Sequence, residues 1–206
     1  MTGKLFVQAI LKFLLGFIVV AMLIFIPAGN LDYLNGWIFL GILFVPMFLA
    51  GLVMMAKNPE LLKKRLNAKE KENEQSLVIK LSGLMFLTGF IVAGLSYRFC
   101  LYLVPMKVSI GACVVFLTAY ALYAEVLREN TYLFRIIEVQ ENQKVIDSGL
   151  YGIVRHPMYS VTLLLFLAMP LILGSWISFI IFLVYPFIIA RRIKNEEDFL
   201  ENNLQG

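Results

Sequence analysis

The chain has 206 residues, of which 60% are hydrophobic, and a formal net charge of +4. Soluble domains are roughly 45–50% apolar, so this composition predicts an integral membrane protein and excludes an ordinary soluble domain. The charge does not indicate nucleic-acid binding, because most basic residues flank apolar segments, as membrane orientation requires. The two cysteines, Cys100 and Cys113, do not have the CxxC spacing of a metal site, and no histidine lies near them in the sequence. We therefore expect no metal.

Four apolar runs in the first part of the chain predict membrane helices. They cover about residues 5–26, 36–55, 77–95 and 108–123. The first two are each long enough to cross a hydrocarbon core of about 30 Å. The segment between the second and third runs, residues 56–76, is the most charged of the chain, whereas the loop after the first run has no basic residue.

Residues 124–157 are mixed polar, and two shorter apolar runs follow them. These runs, Met158–Leu173 and Ile177–Ile189, are joined by the tight turn Gly174–Trp176. We expect a helical hairpin packed within the bundle, with kinks at Pro170 and Pro186. The charged tail that follows has a helical pattern.

The fold class predicted from these runs is all-α, a polytopic membrane bundle of five to six segments that ends in a helical hairpin. Residues 1–206 would form one membrane domain, with a four-helix scaffold at 1–123 and a functional region at 124–206. Basic residues concentrate in 56–76, in 124–157 and in the tail. The positive-inside rule therefore predicts that both termini, the 56–76 loop and the 124–157 loop face the cytoplasm.

The densest polar motif is Ser148–Tyr159, which contains the only histidine, His156. Gly149 and Gly152 favour either an ordinary turn or a close approach of the backbone to a ligand. Pro157 suits the first turn of a helix, so Arg155 and His156 lie at a helix N-terminus, which favours a carboxylate or another electron-rich group. A membrane anchor for Arg155 and a capping role for His156 are the alternatives.

A second motif follows the last apolar run. Arg192 and Glu196 are four residues apart and share a helix face. A glutamate can hold an ammonium group, and an arginine can hold a carboxylate through two hydrogen bonds. A salt-bridged helix end is the alternative.

Together, the stretch Val145–Tyr159, the hairpin and the pattern Arg192-x-x-x-Glu196-Glu197 resemble the isoprenylcysteine carboxyl methyltransferase family. They also resemble the wider group that includes phospholipid methyltransferases. The resemblance covers about residues 128–204. Leu150 stands where the family commonly has proline, and the chain ends at Gly206, where family members usually continue with a tyrosine-rich basic tail.

The resemblance implies a membrane methyltransferase that uses S-adenosyl-L-methionine and releases S-adenosyl-L-homocysteine, with a cofactor pocket on the cytoplasmic face. Arg192 would hold the acceptor carboxylate, and Arg192 and Arg155 are the expected catalytic residues. The expected cofactor contacts are Gln140, Gln143, Lys144, Val145, Ile146, Tyr151, His156, Pro157, Met158, Tyr159 and Glu196.

The implied acceptor is a prenylcysteine-like or other lipid-tailed acid, whose tail stays among the membrane lipids. We expect the tail to enter between helices, with room left by Ser160, Ala168 and Gly174. One alternative is N-methylation of a phospholipid amine, with Glu197 or His156 as the base. Another is a non-catalytic scaffold or permease that retains the fold. The membrane would be the cell membrane of a prokaryote or the endoplasmic reticulum of a eukaryote.

Overall fold

A computed structural model describes residues 2–57, 59, 62, 63, 66, 73–129 and 148–203. Within these residues the chain is helical, with no β-strand, which confirms the predicted all-α class. The α-helices are α1 Thr2–Ala28, α2 Leu34–Lys57, α3 Asn73–Arg98, α4 Met106–Glu129, α5 Pro157–Ile172, α6 Trp176–Phe182 and α7 Tyr185–Asn203.

Five stretches of the described chain are long and apolar enough to cross a membrane. They are Gly3–Ala28, Leu34–Lys57, Leu77–Arg98, Met106–Glu129 and the α6–α7 stretch Trp176–Asp198. Helix α5 is apolar but has only 16 residues. The multi-pass membrane bundle is therefore confirmed, with α5 as the shorter arm of the predicted hairpin.

The second arm of the hairpin is interrupted. Helix α6 ends at Phe182, and α7 begins at Tyr185, directly before Pro186. Proline has no N–H to donate to the preceding turn, which explains a break at this point. Helix α5, in contrast, continues through Pro170.

The core is formed by large apolar side chains from several helices. Helix α5 packs against α4, whereas α3 packs against α1 and α6. The bulkiest fully buried side chains include Phe39, Phe116 and Phe182. Many apolar side chains on the outer faces of α1 and α2 are exposed, as expected where a helix contacts lipid.

The bundle has two ends with different contents. We call the end that holds the connections 29–33, 99–105 and 173–175 the turn end. The opposite end, where α3 and α5 begin and α4 and α7 end, is the motif end. Both polar motifs of the sequence lie at the motif end.

Candidate active site

The motif Ser148–Tyr159 is attached to α4 through a carboxylate. Glu129, the last residue of α4, accepts a hydrogen bond from the backbone N–H of Leu150 at 2.8 Å. Gly149 has φ +55°, and a Cβ atom at this position would overlap the Glu129 carboxylate. Only glycine combines this backbone conformation with such a close approach. The glycine at position 149 is therefore explained by this contact between two parts of the chain.

Arg155 and His156 meet one carboxylate from the other motif. Pro157 occupies the first turn of α5, as predicted, and His156 precedes it. His156 Nε2 lies 2.8 Å from Glu197 Oε1, and Arg155 Nε lies 3.3 Å from the same oxygen. The Arg155 side chain is 77% exposed, so water screens its ion pair strongly.

Tyr159 links Arg192 with Glu196. Its hydroxyl donates to the Glu196 carboxylate and accepts a hydrogen bond from Arg192 Nε at 3.0 Å. Tyr159 itself is buried. A cation, a phenol and a carboxylate thus form one chain of hydrogen bonds that joins α5 to α7.

A cavity of about 530 Å³ opens beside this chain of hydrogen bonds. Helices α3, α4, α5 and α7 line it. Its lining residues are Val78, Ile79, Ser82, Gly83, Phe86, Tyr123, Met158, Tyr159, Thr162, Phe166, Tyr185, Ile189 and Arg192. Most of this wall is apolar, and Arg192 is the one charged residue among the described residues that line it.

The cavity has a polar end and an aromatic end. On α5, Tyr159 and Phe166 are seven residues apart, and on α7 the same spacing separates Tyr185 from Arg192. Seven residues of helix advance by about 10 Å. The Phe166 ring packs against Tyr185, with 4.6 Å between ring centroids. The cavity therefore leads from Arg192 and Tyr159 towards an aromatic wall.

The family model that describes phospholipid methyltransferases matches residues 106–205, which begin at α4 and include both motifs. Over these residues the chain is similar to phospholipid methyltransferases. The chain is thus a multi-pass membrane protein with a region similar to a membrane methyltransferase. Comparison with curated proteins and with solved structures finds no match.

The matched region brings the two predicted motifs together. Met158, Tyr159 and Arg192 line the cavity, and Glu196 lies one hydrogen bond behind it. Arg155 and His156 both contact the Glu197 carboxylate, and neither is among the residues that line the cavity.

Tyr151 lies on a short 3-10 helix, Gly149–Gly152, and packs against the core of the bundle. The other predicted cofactor residues lie outside the described residues; they are Gln140, Gln143, Lys144, Val145 and Ile146.

Sequence reasoning missed several residues of this site. Glu129 lies at the end of an apolar run, and only its position there hinted at a role. Tyr123, Thr162 and Tyr185 had no motif around them, and the cavity wall on α3 lies before the matched domain. The small residues expected to leave room for a tail, Ser160, Ala168 and Gly174, do not line the cavity.

The donors and acceptors at the motif end have the chemistry that the amino-acid part of S-adenosyl-L-methionine requires. Glu196 offers a carboxylate for an ammonium group. The N-terminus of α5 favours a carboxylate through its unpaired N–H groups and partial positive charge. These groups lie on two helices that Tyr159 joins, so they fit the cofactor that the family implies.

Proposed function

We propose that the protein methylates the head group of a lipid-tailed acid, with S-adenosyl-L-methionine as the methyl donor. The observation that carries this proposal is the position of Arg192. Its guanidinium lies at the polar end of an apolar cavity and is linked through Tyr159 to Glu196. A lipid anion can place its head at Arg192 and its tail along the apolar wall.

Glu196 would hold the ammonium group of the cofactor, and the residues at the start of α5 would surround the rest of its amino-acid part. When bound, the cofactor supplies an electrophilic methyl group. Arg192 would fix the acceptor carboxylate through two hydrogen bonds. Because a carboxylate is already ionised near pH 7, this reaction requires no general base. The work of the chain is to orient two ligands and exclude water.

The acid is favoured over an amine by the charge of the cavity. Arg192 is a cation, and no carboxylate is among the described lining residues. An amine head would meet a like charge there.

The second candidate, N-methylation of a phospholipid amine, is supported by the family's description. In that reaction His156 or Glu197 would be the base, and the two lie 2.8 Å apart.

The first experiment asks whether the protein is a methyltransferase at all. S-adenosyl-L-homocysteine should raise the melting temperature of the purified protein in detergent. Methyl-labelled cofactor should then be offered with farnesyl-cysteine, small isoprenoid acids and phosphatidylethanolamine. We expect label in the acids that alkali releases as methanol, which is diagnostic of an ester.

Alkali-stable label in phosphatidylethanolamine would establish the amine reaction instead. A protein without a thermal shift and without any label would be a scaffold or permease. Arg191→Ala is the matched control for Arg192→Ala, because Arg191 is exposed and does not line the cavity.

We further propose that the motif end faces the cytoplasm, since the basic residues concentrate in the segments at that end. A cysteine at Ser148 reports on this orientation. An impermeant thiol reagent should label it only after lysis, whereas the exposed Cys100 at the turn end should react in intact cells. The reversed pattern of labelling would place the motif end outside.

A further inference from the structure

Helix α3 contributes one face to the cavity, although it lies before the matched domain. Its lining residues fall at positions 78, 79, 82, 83 and 86, which is the spacing of a single helix face. Phe86, the last of them, packs edge-on against Phe166 at the aromatic end, with 4.8 Å between centroids. The α3 face therefore runs beside the whole length of the cavity.

At Gly83 this face of α3 has a gap, because glycine has no side chain. Gly83 lines the cavity and is exposed, and a Cβ atom built at this position meets nothing within 4 Å. The other glycines of the same helix differ, because a Cβ at Gly89 would overlap the Phe182 ring and one at Gly94 would overlap the backbone of Ile24. Close helix packing thus explains Gly89 and Gly94 but not Gly83.

The size of the cavity limits what can lie within it. About 530 Å³ lies within the range of roughly 300–1,000 Å³ that is usual for pockets holding one drug-sized molecule. That is the size of a polar head with one tail, or part of one tail. At the aromatic end Phe166 packs against both Phe86 and Tyr185, so the side of the cavity is the easier exit for a longer tail.

We infer that Gly83 is a specificity-determining residue: it forms the lateral window through which the single tail of the acceptor passes from the cavity into the lipid. This inference rests on the proposed function and extends it, because it assigns the choice of acceptor to a helix outside the matched region. Tails short enough to remain inside the cavity do not use the window, whereas long tails do.

The experiment compares Gly83→Leu with Gly111→Leu. Gly111 is also a helical glycine whose Cβ would meet nothing within 4 Å, and it does not line the cavity. The substrates are geranyl-, farnesyl- and geranylgeranyl-cysteine. For Gly83→Leu we expect kcat/KM to fall tenfold or more with the longest tail and far less with the shortest. Gly83→Ala should be intermediate, and Gly111→Leu should match the wild type.

The thermal shift by S-adenosyl-L-homocysteine should be equal in all these proteins, because the window is separate from the cofactor residues. An equal loss with every tail, or the same loss in Gly111→Leu, would overturn the inference.

A second measurement does not require turnover. Gly83→Cys, in a chain with Cys100→Ser and Cys113→Ala, should react with a membrane-permeant maleimide, and geranylgeranyl-cysteine should protect it. If no acid is methylated but this protection occurs, the proposed function fails while the window stands. If the acids are methylated and the tail gives no protection, the window is wrong and the proposed function stands.

Discussion

The polar side chains that join the helices differ between the two ends of the bundle. At the turn end, three side chains satisfy consecutive carbonyl groups at the C-terminal end of α5. Tyr33 donates to Leu173, Asn35 Nδ2 donates to Ile172 O at 2.7 Å, and Ser109 Oγ donates to Leu171 O at 2.8 Å. These groups are neutral, and each is paired within the protein.

Burial raises the pKa of the Tyr33 hydroxyl, so this group remains a donor at neutral pH. At the motif end, in contrast, the polar groups are charged, partly exposed and next to a cavity. An enzyme requires both kinds of region. Satisfied neutral pairs hold helices in place, and charged groups beside an open space can bind ligands. Variants at the turn end should therefore alter stability, and variants at the motif end should alter activity.

The largest effect is expected for Gly94→Ala. The new methyl group would overlap the Ile24 carbonyl oxygen, which belongs to backbone and cannot move aside as a side chain can. Overpacking of this kind costs about 3 kcal/mol. For a chain of this size, that lowers the melting temperature by about 6–12 °C. Gly111→Ala, which adds a methyl in open space, is the control and should melt at or above the wild-type temperature.

At the motif end, Arg192→Ala and Glu196→Gln should have separate effects. Loss of a charged hydrogen bond is worth about 1.5–3 kcal/mol, or roughly tenfold to a hundredfold in affinity. Glu196→Gln should weaken cofactor binding by that factor, as measured by titration calorimetry. Arg192→Ala should raise the KM of the acceptor and leave cofactor affinity nearly intact. Equal loss of cofactor binding in both variants would instead indicate a purely structural pair.

Asn35→Ala examines the turn end without adding bulk. It leaves the Ile172 carbonyl without this donor, in a residue that is only 1% exposed. An unpaired buried group costs about 2 kcal/mol, so the melting temperature should fall by about 4–8 °C. Activity per folded molecule should not change. Thr118→Ala serves as the control, because the Thr118 hydroxyl is exposed and bonds within its own helix.

The smallest effect is expected for Tyr159→Phe. This change removes the hydroxyl that joins Arg192 to Glu196 but keeps the ring in the cavity wall. Both charged partners remain beside the cavity, where water can bond to them. We expect a loss of about 1 kcal/mol, which is roughly fivefold in kcat/KM. In a double-mutant cycle, the coupling between Arg192 and Glu196 should decrease; an unchanged coupling would contradict a role for the bridge.

The amino-acid sequence by itself determined the class of protein, the membrane helices and the hairpin. These features depend on local properties: the length of an apolar run, the turn that begins at Gly174 and a proline at the start of a helix. The two motifs were also readable in the sequence, because each is compact. The break before Pro186 was predictable for the same reason, since proline acts on its own helix.

Only the tertiary structure decided what surrounds the motifs. The Glu129 contact with Leu150, the Tyr159 bridge and the α3 wall all join residues that are distant in the sequence. No periodicity within one helix indicates which face of another helix it will meet. Gly83, Gly89 and Gly94 look alike in the sequence of α3. Their difference arises from their neighbours: Phe182 and Ile24 fill the space beside two of them, and the cavity lies beside the third.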